Sequence, residues 1–195
     1  VMYMKKIFFL IILMAAMTSM VFAADPVLKG LPIGSPAVDY STGAVSTTVN
    51  QPSSAFDGDL NTFYASHGRS YTWVGLDLST PHVITRVGWS PRNDSKGANR
   101  VKLAVIEGAN RSDFLDAVPL YSIDQAGVIG QMHYADIAVS KGYRYVRYAG
   151  PNDARCNIAE LEFCGHAGEG NEGEFYLPSG LPLVVINTVD AVEPY

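Results

Sequence analysis

The chain has 195 residues, 48% hydrophobic and 17% charged, with 14 Lys and Arg against 19 Asp and Glu and a formal net charge of −5. Such a chain lacks the basic patch that neutralises phosphates, which argues against nucleic acid or an anionic membrane as partner. Its length suits one domain with a short appendage.

At the start, Met4-Lys5-Lys6 is basic, Ile7 to Met17 is an apolar run of eleven residues, and Val21-Phe22-Ala23 ends on the small residue a signal peptidase needs. Residues 1–23 therefore read as a signal peptide, with Met4 as the natural start. The competing reading, a membrane anchor, needs about 20 apolar residues. Cleavage leaves 172 residues and takes the net charge from −5 to −7, because Lys5 and Lys6 leave with the leader. The mature chain is expected outside the cytoplasm: secreted, periplasmic or on the cell surface, with no membrane span.

Residues 24–39 are a lead-in. Beyond them short alternating segments are divided by Gly, Pro, Asn and Asp, with no sustained 3.6-residue period. Strands are expected at Ala44–Val49, Tyr71–Leu78, Val83–Ser90, Arg100–Glu107, Leu120–Ile123, His133–Val139, Tyr143–Tyr148 and Ile158–Phe163. Turns fall between them, at Ser79-Thr80-Pro81, Pro91–Gly97, Gly108-Ala109-Asn110, Ser140-Lys141-Gly142 and Gly150–Asp153. In Tyr143–Tyr148 neither face is purely polar, so both must find partners. The fold class is all-β, a β-sandwich or jelly roll. Gly165–Gly180 reads as a Gly/Glu-rich linker spanning 166–180. Its Gly168, Gly170 and Gly173 mimic a dinucleotide fingerprint that Glu169 and Glu172 would spoil. Residues 181–195 then read as the first strand of a further domain, truncated here.

An oxidising compartment would permit a Cys156–Cys164 bridge. If the seven residues between them are extended, however, the cysteines stand about 26 Å apart at 3.3 Å per residue, against a limit of about 7 Å between bridged Cα atoms. Two buried free thiols are the default expectation. Trp73 and Trp89 read as core rather than platform.

The chemistry concentrates in Ser54–Tyr64. Asp57 and Asp59 flank Gly58, and Thr62 follows, an oxygen-rich turn that suits a hard cation or, equally, a plain Asx turn. Glu160 sits among Ile158, Leu161 and Phe163, where an unpaired charge is costly. No HExxH, G-x-S-x-G or zinc-spaced cysteine pair occurs, and the four histidines have no triad companions, so no catalytic residue is assigned.

AFDGDLNTFYAS at 55–66, TWVGLDL at 72–78, ITRVGWSPRND at 84–94, RVKLAVIEGAN at 100–110 and YRYVRYAGPNDARCNIAELEFCG at 143–165 together resemble the discoidin or coagulation-factor type C domain. Its bacterial members are carbohydrate-binding modules with a galactose-binding jelly-roll fold. The resemblance spans about 40–165. It implies one structural Ca²⁺ held by the Ser54 carbonyl, Asp57, Asp59 through its carbonyl or side chain, Thr62, the Ala159 carbonyl and Glu160. It also places ligand sites on loops at one end of the sandwich. By position these are Tyr64, Ser66, His67 and Arg69, then Arg92, Asn93 and Asp94, then Asn152, Asp153 and Arg155, with His67 and Arg92 foremost. The implied partner is a glycan or polysaccharide, bound without a bond-breaking step. A structural spacer and a protein- or lipid-binding module are the alternatives. EFYLPSGLPLVVINTVDAVEPY at 174–195 is similar to the strand that opens CotH-like kinase domains.

Overall fold

The computed structural model describes residues 24–171. The expected leader, most of the linker and the CotH-like segment lie outside that range. Nine strands are described: β1 Leu31–Gly34, β2 Ala37–Val38, β3 Val45–Ser46, β4 Trp73–Ser90, β5 Val105–Ala109, β6 Val118–Ser122, β7 His133–Asp136, β8 Tyr143–Ala149 and β9 Glu160–Ala167. A 3₁₀ turn at Pro52–Ala55 and one helical turn at Gly97–Arg100 complete the elements.

β4 organises the molecule. Its first half pairs antiparallel with β1 (Ile33↔Gly75) and β8 (Leu76↔Val146), and β8 continues through β5 to β6. Its second half pairs with β9 (Val87↔Phe163) and β7 (Gly88↔Tyr134). One 18-residue strand thus belongs to both layers of the sandwich. It turns the corner at Ser79, whose φ is +67° and whose N–H donates to Asp77 Oδ1 at 2.8 Å. Ser79-Thr80-Pro81 therefore bends one strand instead of separating two.

Alternation places Val74, Leu76 and Leu78 inside, opposite Val146 and Tyr148 of β8 and Ile106 of β5. Ile84, Val87, Trp89, Ile158, Leu161 and Phe163 complete the core from the other layer. Gly75 is required by close approach, because a Cβ there would lie 2.1 Å from the Val146 carbonyl oxygen. The outer face of β8 is also covered, as its mixed pattern demanded: Phe114 packs on Trp73 and Tyr145, with ring centroids at 4.9 and 5.9 Å. Trp89 is core, 7% exposed, whereas Trp73 belongs to this outer cluster and is only half-buried.

Several expectations shift. The expected strand at Arg100–Glu107 begins only at Val105, because Asp94 ties down Lys96 N–H and Arg100 and winds the segment between them into a helical turn. Ala44–Val49 shrinks to Val45–Ser46, since Ser46 Oγ accepts the Thr48 and Val49 N–H groups and ends the strand. The lead-in is integral to the fold: β1 completes the sheet, and Leu28 N–H donates to the Phe163 carbonyl. The segment expected as a linker from 166 is tied to the fold at its start: β9 runs to Ala167, Gly168 N–H donates to Pro81 O and Gly142 N–H to Glu169 O. Cys156 and Cys164 are free and buried. Among the described residues no helix is long and apolar enough to cross a membrane.

Candidate functional site

Two loop regions meet at one end of the sandwich. The first is the lip 54–62. Gly58, at φ +80°, makes the tight turn between the two aspartates. Asp57 Oδ1 accepts the Asp59 N–H, and Asp59 Oδ1 accepts both Asn61 N–H and Asn61 Nδ2, so the Asp59 carboxylate is spent on its own turn. The single hydroxyl of Thr62 then faces four acceptors: Asp57 Oδ1 at 2.9 Å and Oδ2 at 2.8 Å, the Asp59 carbonyl at 3.0 Å and the Ser54 carbonyl at 3.4 Å. One hydroxyl proton serves one of them. Glu160 approaches from β9, 4% exposed, with its Oε2 accepting the Gly58 N–H at 3.0 Å. Burial pushes its carboxyl up to about 7, and repulsion from Asp57 and Glu162 adds to the rise. Ala159 is buried beside it, its N–H donated to Ser90 O. Among the described residues no three His, Cys, Asp or Glu side chains cluster as metal ligands. The lip instead combines two carboxylates with carbonyls and a hydroxyl, the oxygen chemistry that hard cations take.

The second region is the crest, formed by 66–69, 92–94 and 152–157. Arg92 is held from every side. Its guanidinium carbon lies 3.6 Å from the Phe63 ring centroid and 5.1 Å from that of Tyr40, its Nε sits 3.3 Å from Asp94 Oδ2, and one terminal nitrogen donates to Asn157 Oδ1 at 3.4 Å. Asn157, itself buried, donates to the Tyr40 hydroxyl at 2.9 Å, and Asp94 is shared with Arg100 at 3.1 Å. A cation so fixed loses little entropy when a ligand arrives. Asn93 is exposed and donates to Asn61 Oδ1 at 3.3 Å, which joins the crest to the lip.

His67 projects into solvent from a backbone pinned at both ends: its N–H donates to Pro36 O, and its carbonyl accepts from Arg155. Arg155 also reaches the Ser66 carbonyl, so its guanidinium shapes the His67 loop. Asp153, Arg155 and Cys156 all have positive φ, a concentration of strain of the kind found at binding loops. Arg69 and Asp153 form an exposed pair at 3.4 Å, and Asn152 is exposed. Ser66 is buried, its hydroxyl donated to Gly68 O.

Tyr64 is a correction. It is 0% exposed, and its hydroxyl donates to the Ser35 carbonyl at 2.7 Å, so it is a core residue out of a ligand's reach. Its neighbour Phe63 takes the surface position instead, as alternation along an extended chain requires. Phe63, Tyr40 and Asn157 were absent from the expected site. The alternation about Tyr64 signals Phe63. Tyr40 and Asn157 carry no local signal, since their partners are 52 and 117 residues away.

The F5/8 type C domain model matches residues 39–161. The chain belongs to that family. Among solved structures, it is similar to the carbohydrate-binding module CBM62 of Clostridium thermocellum Xyl5A, at 36% identity and TM-score 0.66, covering 73% of this chain and 99% of that one. The CBM32 module of AlyQ, in complex with 4,5-unsaturated mannuronic acid, shares the fold at 18% identity and TM-score 0.55, covering 71% of this chain and 97% of that one. So does a CBM32 module of Clostridium perfringens in complex with GalNAc-β-1,3-galactose, at 15% identity and TM-score 0.53, covering 69% and 94%. No curated protein matches the chain significantly.

Proposed function

We propose that this F5/8 type C domain is an exported, non-catalytic carbohydrate-binding module whose crest takes a sugar residue and whose lip holds one structural calcium. The observation that carries the sugar reading is Arg92. It is fixed against Phe63 and Tyr40, beside the amides of Asn93 and Asn157, so that ordered donors and aromatic faces converge as vicinal hydroxyls and a C–H surface require. The 36% identity to a carbohydrate-binding module supports it. His67, exposed on its pinned loop, and Arg69 and Asn152 are proposed as flanking contacts. Recognition is by shape and hydrogen bonding alone.

The calcium reading is supported by the surplus of acceptors about Thr62 and by the buried Glu160 carboxylate. Ser54, Asp57, Asp59 through its carbonyl, Thr62, Ala159 and Glu160 would hold the ion, which when bound would cancel this excess negative charge and clip the lip to β9. The chain's own groups do the rest: Gly58 N–H orients Glu160, and the Asp59 side chain keeps the turn closed.

A glycan array probed with the multivalently presented mature chain, with and without calcium, tests the function. Binding to a defined terminal sugar that His67→Ala loses supports the reading. Silence from a folded domain would replace it with the spacer reading, in which the module positions another domain.

A further inference from the structure

A second pocket, of about 270 Å³, opens on the outer face of the sheet at the start of β4. Tyr71, Thr72 and Trp73 line it with Glu107 of β5, Arg147 of β8 and Asn152 of the following loop. We propose that it is a second sugar subsite that takes one neutral pyranose ring, an inference that rests on the carbohydrate-binding reading above. Trp73, Glu107, Arg147 and Ala149 set it on the β4–β8–β5 face, whereas the crest is built from loops alone. The segments before β4 and after β8 border both.

Four observations carry it. At about 270 Å³ the pocket lies just below the usual range for ligand sites, which begins near about 300 Å³, a size for one ring rather than a peptide. Tyr71 stands at its rim 92% exposed, an aromatic face in water, with φ at +56°. A bulky residue at positive φ is a genuine outlier and persists only where its surroundings over-determine it. Here the Gly150 N–H donates to the Thr72 carbonyl and Trp73 pairs with Ala149, so the backbone that carries Tyr71 is fixed beside the pocket mouth.

The polar groups are rigid and incompletely used. Arg147 Nε donates to Glu107 Oε2, with the guanidinium 4.2 Å from the Phe114 centroid and 5.5 Å from that of Trp73. Among the described residues this leaves Glu107 Oε1 and the terminal nitrogens of Arg147 for a ligand's hydroxyls, one acceptor beside two donors. Thr72 is 7% exposed, yet its Oγ1 has no partner among the described residues. Its methyl is the atom turned toward Gly68, so the hydroxyl faces away from that loop. A buried hydroxyl without a partner is costly. Asn152 adds an exposed amide able both to donate and to accept.

The test is a backbone-amide NMR titration of the mature chain with galactose, xylose and arabinose, on the parent and on His67→Ala, Tyr71→Ala and Asn152→Ala, all at exposed side chains. At least one sugar should saturably shift the amides of Tyr71, Trp73, Gly150 and Asn152, and should still do so in His67→Ala. Tyr71→Ala should weaken that response about tenfold, with the crest amides responding as in the parent, and Asn152→Ala, at a residue that borders both sites, should weaken it severalfold. Shifts confined to residues around His67 and Arg92, or pocket shifts indifferent to Tyr71→Ala, overturn the second subsite and leave the carbohydrate-binding function standing. No saturable shift with any sugar overturns both.

Discussion

The lip and the crest share the segment Asn61–Phe63 and carry opposite surpluses. At the lip, acceptors outnumber donors: Thr62 has one proton for four oxygens, and Glu160 is buried with a single N–H bond. At the crest, Arg92 is already paired, stacked and hydrogen-bonded before any ligand arrives. The lip is thus a region whose stability depends on something added, and the crest one whose geometry is prepaid. Thr62 faces the lip while the next residue, Phe63, lies beneath Arg92, so the two regions adjoin along the chain.

The largest effect should come from breaking the lip. Calcium at a hundred times its dissociation constant should raise the melting temperature of the parent by about 5–10 °C, the consequence of about 2.7 kcal/mol of linkage. Glu160→Gln should remove that rise; an equal rise in the variant, followed by scanning calorimetry, would discard the calcium assignment.

Without divalent cation the same carboxylate should give a pH signature. Its folded pKa, about 7, stands above its ordinary 4.5, so the folded chain holds a proton that the unfolded chain has lost in this window. Stability should therefore fall, by on the order of 2–3 kcal/mol, as pH rises from about 4.5 to about 7. Chemical denaturation in chelator across that range checks it, and Glu160→Gln should flatten the curve.

At the crest, Arg92→Ala should cost sugar affinity at least about tenfold, with Arg92→Lys a poor rescue because a point charge cannot keep the planar stack and fork. Arg155→Ala should weaken binding only severalfold, through a loosened His67 loop, with amide exchange rising at His67. Calorimetric titration ranks the two, and equal losses would mean that Arg155 touches the ligand. The smallest effect belongs to Arg69→Ala: an exposed pair is worth less than about 1 kcal/mol. A larger fall in melting temperature would show that the Arg69–Asp153 pair braces the crest.

Alternation and turn residues were enough to read an all-β sandwich and most strand positions, because each strand buries one face and that choice is written at period two. The family blocks led to the lip and to His67, Arg92 and Asn93. The errors share a cause. Ser79-Thr80-Pro81 reads as a break, but the corner it makes keeps β4 in both layers, which depends on β8 and β9 being there to pair with. Residues 24–39 look like a Pro- and Gly-broken lead-in, and only the open edge of β4 makes Leu31–Gly34 a strand. Tyr64 reads as a loop aromatic until Ser35 supplies its acceptor from 29 residues away.

By itself, then, the sequence determined the fold class, the acidic character and the oxygen-rich turn, since these follow from local composition and spacing, while the crest side chains came from the family resemblance. Tertiary structure alone decided which of those groups meet. It turned Asp59's side chain back on its own loop, set Arg92 over Phe63 and Tyr40, gave Arg155 to the His67 carbonyl and left the Thr72 hydroxyl without a partner among the described residues. Those contacts join residues distant along the chain, and their geometry is set by the sheet register and packing that bring the loops together.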